Sequence, residues 1–220
     1  MKFSKRLQYN APVTLTFFFA SLAALVLDVC TNGVSNRLLF SVYRAPITSP
    51  LFFVRLFTHV LGHAGWDHFI GNMLLFLVVA PPMEEKYGSK TLLGAIAITA
   101  LISGVLQCAI FPGTALLGAS GIVFMLLMLA SLSGMQAGRI PLTMILVGLL
   151  YLSQQVVGML FVQDNVANFM HIIGGVCGTV FGFRLKKHKG SRSFLNLYTK
   201  PPGALPSALR QKKHPGAFCF

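Results

Sequence analysis

Acidic residues are nearly missing from this chain: Asp28, Asp67, Glu84, Glu85 and Asp164 are its only five, against eighteen Lys and Arg. Charge of both signs together reaches just 10% of the 220 residues, where a soluble domain carries roughly 25%. So little charge cannot cover an ordinary water-facing surface. The net charge of +13 is therefore not the footprint of a nucleic-acid binder, which needs a charged, solvated face, and no nucleic-acid partner is expected. Cysteine is sparse too. Cys30, Cys108, Cys177 and Cys219 show neither metal-ligand spacing nor the density of a disulfide scaffold. Zinc fingers and c-type haem attachment are excluded, no metal or other cofactor is expected, and a Cys30–Cys108 bridge is the one pairing considered, with free thiols the preferred reading.

What is abundant is apolar sequence, 55% of the chain, with a mean hydropathy of +0.71. It comes in blocks, so the solvent is a bilayer and the chain is a multi-pass, all-α membrane protein. Six spans can be marked, at Val13–Val29, His68–Pro82, Thr91–Phe111, Ala119–Gly134, Ile140–Phe161 and Val166–Arg184. The second and fourth fall short of the ~20 residues a spanning helix needs. Lys2, Lys5 and Arg6 before the first block, with Ser21-Leu-Ala23 inside it, also fit a signal peptide; a retained helix is the preferred reading.

Charge sets the orientation. With the N-terminus inside, only Arg37, Arg44 and Arg55 of the eighteen basic residues fall in outer segments. That bias puts both termini in the cytoplasm. The resulting plan is a cytoplasmic N-terminus at 1–12, a six-helix membrane domain at 13–185 with an outer loop at 31–62, and a basic tail at 186–220. The tail reads as disordered, with anionic lipid heads as its partner. Within the outer loop, Leu51–Leu61 is amphipathic enough to lie in the interface. No repeat of useful period supports an inverted-repeat transporter.

Polar residues inside apolar helices are costly, so each is a candidate site. His68 and Asn72 lie in the second span, Ser120 opens the fourth and His171 lies in the sixth. Taken singly, each is more often a packing or interhelical hydrogen-bonding residue. Depth joins them. Counted to the cytoplasmic ends of their helices at ~1.5 Å per residue, Ser120, His171 and Asn72 lie at about 21, 20 and 18 Å, one shelf in the bilayer. Gly118-Ala119-Ser120-Gly121 follows a Pro112-Gly113 loop and sets the Ser at a helix N-terminus, where free N–H groups and the helix dipole favour a developing oxyanion. His171, Gly174, Gly178 and Gly182 form one stripe that admits a neighbouring backbone. No carboxylate shares the shelf, so the chemistry is a Ser–His dyad.

These residues resemble the signature of the rhomboid family, the intramembrane serine proteases. The second span carries His63-x4-His68-x3-Asn72, the fourth Gly118-x-Ser120-Gly121, and the sixth His171-x2-Gly174-x3-Gly178. Glu85 before Tyr87-Gly88 resembles the short acidic turn after the family's second helix. The family's Trp-Arg pair is here Val54-Arg55, and Met170 stands where an Ala usually precedes the catalytic His. The resemblance implies a six-transmembrane-helix rhomboid-like bundle that hydrolyses peptide bonds in or beside transmembrane segments of other proteins. It implies Ser120 as nucleophile and His171 as general base and acid, with Asn72, His68 and the Ser120 main-chain N–H holding the oxyanion. Gln154 and Gln155 are candidate gate residues. Two other readings compete: a catalytically silent rhomboid-like chaperone or adaptor, and a six-span metal transporter using His59, His63 and His68. Small size and a minimal core suggest a bacterial inner membrane.

Overall fold

The computed structural model describes residues 10–133 and 165–185, with helical positions at 142–143, 145–147, 149–150 and 153. Much of the expected fifth span, with Gln154 and Gln155, and the tail after 185 lie outside the described residues. Among the described residues six α-helices have both ends defined: α1 (Pro12–Cys30), α2 (Pro50–Thr58, continued by a 3-10 turn His59–Leu61), α3 (Trp66–Tyr87), α4 (Ser89–Ile110), α5 (Ser120–Leu132) and α6 (Asn165–Arg184), with a π-helical turn at Asn36–Phe40 between α1 and α2. Among the described residues, α1, α4 and the Val166–Arg184 part of α6 are each long and apolar enough to span a bilayer. The α2–α3 pair, bent by 74°, makes a fourth candidate. This is an all-α multi-pass membrane protein.

The expected His68–Pro82 span is corrected at its far end. α3 has 22 residues and runs through Pro81 and Pro82 to Tyr87. Two prolines each remove a helical donor, but tertiary bonds hold the last turns in place. Glu84 accepts from the N–H groups of Val13 and Thr14 at 2.8 Å and from the Thr14 hydroxyl at 2.7 Å. It thereby caps α1, whose own N-cap residue, Ala11, supplies no side-chain bond. The Lys86 ammonium donates to the Ser133 carbonyl beyond the end of α5. Glu84 is 3% exposed, so Glu84→Ala strands α1's first-turn donors, at a cost of about 1–3 kcal/mol. The expected result is a lower melting temperature in detergent, with Glu84→Gln recovering part of the loss. An unchanged melting temperature would rule out this cap.

Lipid tails are as apolar as leucine, so tight packing rather than water exclusion joins membrane helices. Phe17 of α1 meets Phe76 of α3 at 4.7 Å between ring centroids. Leu92, Ile122, Met125 and Leu126 complete a core with almost no exposure. α6 approaches α5 through its glycines. A Cβ at Gly174 would overlap the Gly121 carbonyl, one at Gly178 the Met125 carbonyl, and one at Gly182 the Leu132 side chain.

Residues 31–62 are held by partly buried polar bonds. Asp28 accepts from the Asn36 N–H and Asn36 Nδ2 at 2.8 Å and from the Ser35 hydroxyl at 3.2 Å. Asn36 Nδ2 also donates to the His63 carbonyl at 3.0 Å. Arg55 donates through Nε to the Leu38 carbonyl at 2.8 Å, and its guanidinium lies 4.5 Å from the Tyr43 ring centroid. Tyr43 thus gives Arg55 the aromatic neighbour that Val54 cannot. Cys30, Cys108 and Cys177 are free thiols, so the Cys30–Cys108 pairing is not formed here. Cys30 is exposed, whereas Cys108 is partly covered.

Candidate active site

Gly118 introduces the site. Its φ is +126°, a conformation that side-chain-bearing residues rarely adopt. A Cβ there would lie 2.9 Å from His68 Cε1, 3.0 Å from His68 Nε2 and 4.0 Å from Asn72 Nδ2. Glycine therefore lets the chain turn against two α3 side chains and start α5 at Ser120. The turn is held from outside. The Gly118 N–H donates to the His59 carbonyl at 2.9 Å, and Val42 and Leu116 exchange two backbone hydrogen bonds of 2.9 Å.

Ser120, His171, Asn72 and His68 all line one cavity of about 800 Å³, with Leu75 and Phe124 among its apolar walls. The four residues of the expected site are brought together. Phe124 lies four residues after Ser120, on the same side of α5, and its ring packs against His171 with centroids 4.6 Å apart. The imidazole is thereby held beside the column that carries the Ser. Met170, 2% exposed, packs within the helix bundle.

Donor geometry separates the α3 pair. The Ala64 N–H donates to His68 Nδ1 at 3.3 Å, so in neutral His68 the proton sits on Nε2. That is the nitrogen facing the Gly118 turn. Asn72 Nδ2 is buried without an acceptor, a costly arrangement for an amide donor. Two donors thus lie against the Ser120 turn, and one has no resting partner. Hydrogen bonds that complete only when negative charge develops beside them lower a barrier. His63, fully buried, packs its ring 5.1 Å from that of His68.

The histidines weighed for a metal are engaged otherwise. His59 Nδ1 contacts the Arg55 carbonyl at 3.0 Å and Nε2 the Ser103 hydroxyl at 3.3 Å. Among the described residues, no three His, Cys, Asp or Glu side chains gather to hold a metal ion. Sequence reasoning missed Gln107, which is fully buried in α4. Its Nε2 donates to Thr114 Oγ1 at 2.9 Å and to the Thr114 carbonyl at 3.2 Å, and Thr114 lines the cavity. The rule that flagged the other intramembrane polar residues applies equally to Gln107.

Comparison with known proteins bears on the family of the chain. Residues 51–188 match the profile of the Rhomboid domain. Over 140 residues, 59% of this chain, the sequence is 31% identical to Rhomboid-related protein 1 of Caenorhabditis elegans, covering 39% of that protein. Over 74 residues, 33% of this chain, it is 34% identical to Rhomboid-related protein 2 of Mus musculus, covering 24% of that protein. The matched regions span less than half of either relative. The matched domain runs from α2 through α6 and contains every residue of the cavity named above, so this chain belongs to the rhomboid family.

Proposed function

We propose that the chain is an intramembrane serine endopeptidase that cleaves membrane proteins in or next to their transmembrane segments. The observation that carries this reading is one cavity holding Ser120 at a helix N-terminus, His171 and the unpartnered Asn72 amide. Ser120 attacks the scissile carbonyl and passes its proton to His171, which returns it to the leaving amine. Charge develops on the carbonyl oxygen during the attack, before the amine leaves, and there Asn72 Nδ2, His68 Nε2 and the Ser120 N–H donate. A water activated by His171 then hydrolyses the acyl-enzyme and restores Ser120. Water is scarce at this depth, so fixed donors lower the barrier more than they would in bulk solvent. The proposed setting is a plasma membrane, with six spans, both termini cytoplasmic and the 186–220 tail at anionic lipid heads. Its partners are single-span membrane substrates.

The reading is tested by cleavage of a single-span reporter in proteoliposomes. The α3 donors give a graded expectation. Asn72→Ala and His68→Ala each lower turnover by about 10²–10³. KM hardly changes, because the interaction matures in the transition state. If these residues only tie helices together, the same variants lose thermal stability and keep wild-type turnover per folded molecule. Measuring turnover and melting temperature on one preparation separates the two.

A further inference from the structure

A second cavity, of about 520 Å³, opens between α1, the α2 segment and α4, away from the Ser120 site. Thr16 and Ser89 are its only side chains with a polar group. Such a space stays dry, since a water there lacks the two to four partners it needs. Left empty, it would forfeit the dispersion contacts of its walls. Its lips, Phe57 and Leu93, are exposed, so it faces whatever surrounds the bundle. In a membrane protein that is lipid.

Dimensions select the occupant. Along α4 the groove runs from Ser89 to Ala100, about 17 Å at 1.5 Å per residue, close to half of a ~30 Å hydrocarbon core. Val60 and Leu61 of the α2 segment line it as well, and its length covers one leaflet rather than the whole bilayer. A helix 10–12 Å across and as long as the groove has a volume of about 1,300–1,900 Å³, so most of it would stay outside a groove of about 520 Å³. One acyl chain from one leaflet fits. At the open end, Lys90 is exposed beside Ser89 in the first turn of α4, while the nearby Glu84 carboxylate is occupied by α1. An ammonium at headgroup depth complements a phosphodiester.

We propose that this groove is a phospholipid site, taking one acyl chain between α1 and α4 with the phosphate at Lys90. The bound chain braces Phe57 and Val60, which flank the His59 carbonyl that holds the Gly118 N–H. The lipid thereby supports the turn ahead of Ser120 without touching the cavity.

The test uses the full chain in nanodiscs of phosphatidylcholine doped with a phosphatidylcholine bearing a diazirine on its acyl chain. After irradiation, cross-links are mapped by peptide mass spectrometry. Labelling is expected to concentrate several-fold on residues 12–20, 57–61 and 93–100, relative to the exposed α3 position Leu74. Ala97→Phe, which fills the groove, should lower it several-fold, and Lys90→Gln should weaken phospholipid retention through purification. Labelling as strong at Leu74 as in the groove, and unchanged in Ala97→Phe, would mean bulk lipid only. A cross-linker placed at position 97 that captures a polypeptide would identify a helix as the occupant. Either result overturns the proposal, and the wild-type map decides even if Ala97→Phe fails to fold.

Discussion

Ser120→Ala abolishes cleavage of a single-span substrate, and His171→Ala falls to the same floor, a loss of about 10⁴-fold or more from either change. The two act as one unit. Without its base the hydroxyl is a weak nucleophile, and without the hydroxyl the base has nothing to activate. The double variant is therefore expected to lose no more than each single one, a strongly non-additive pattern. EDTA leaves wild-type activity unchanged, because no step uses a metal. Cleavage assays on the four proteins, with and without EDTA, check all three points. Zinc-dependent recovery after chelation would instead support the metal reading.

The second large effect concerns glycines. Gly174 stands three residues after His171, and Gly121 directly follows Ser120, so the Gly174–Gly121 contact sets the spacing of nucleophile and base. A methyl at Gly174 would overlap the Gly121 carbonyl, and one at Gly178 the Met125 carbonyl. Backbone cannot step aside as a side chain can, so the helices must separate. Overpacking of this kind costs about 1–3 kcal/mol, and a shift of ~1 Å at the reacting groups costs roughly 10² in rate. Gly174→Ala is therefore expected to lower both melting temperature and turnover per folded molecule, the latter about 100-fold. Gly182→Ala also overlaps Leu132, whose Cβ would lie 2.8 Å away, so it too lowers the melting temperature, but about two turns beyond Gly174 it loses far less turnover. Equal behaviour of the two variants would show that close α5–α6 approach does not set the site.

Much of the architecture is legible from apolar run lengths. The expected first, third and sixth spans lie within a few residues of α1, α4 and α6, and Ser120 opens α5 as its Gly-rich approach suggests. The shelf of Ser120, His171 and Asn72 needs only residue counting, because helical rise is uniform. The far end of α3 is not legible in the same way. Pro81 and Pro82 signal a stop, and the bonds that override it come from residues far away in sequence. The order in residues 31–62 has the same origin. Asp28, Asn36 and His63 look unrelated along the chain, and only the fold joins them. His68 shows the limit most clearly. Its spacing to Asn72 marks a shared face, yet its role as a donor rests on the Ala64 N–H occupying Nδ1, a loop contact without a sequence signature.

The central claim, that Ser120 is a nucleophile activated by His171, is tested most directly by labelling with a fluorophosphonate probe in native membranes. The wild-type chain is expected to take up the probe at Ser120, with His171→Ala strongly reduced and Ser120→Ala unlabelled at equal expression. Equal labelling of wild type and Ser120→Ala, or none in a correctly inserted wild-type chain, would contradict it.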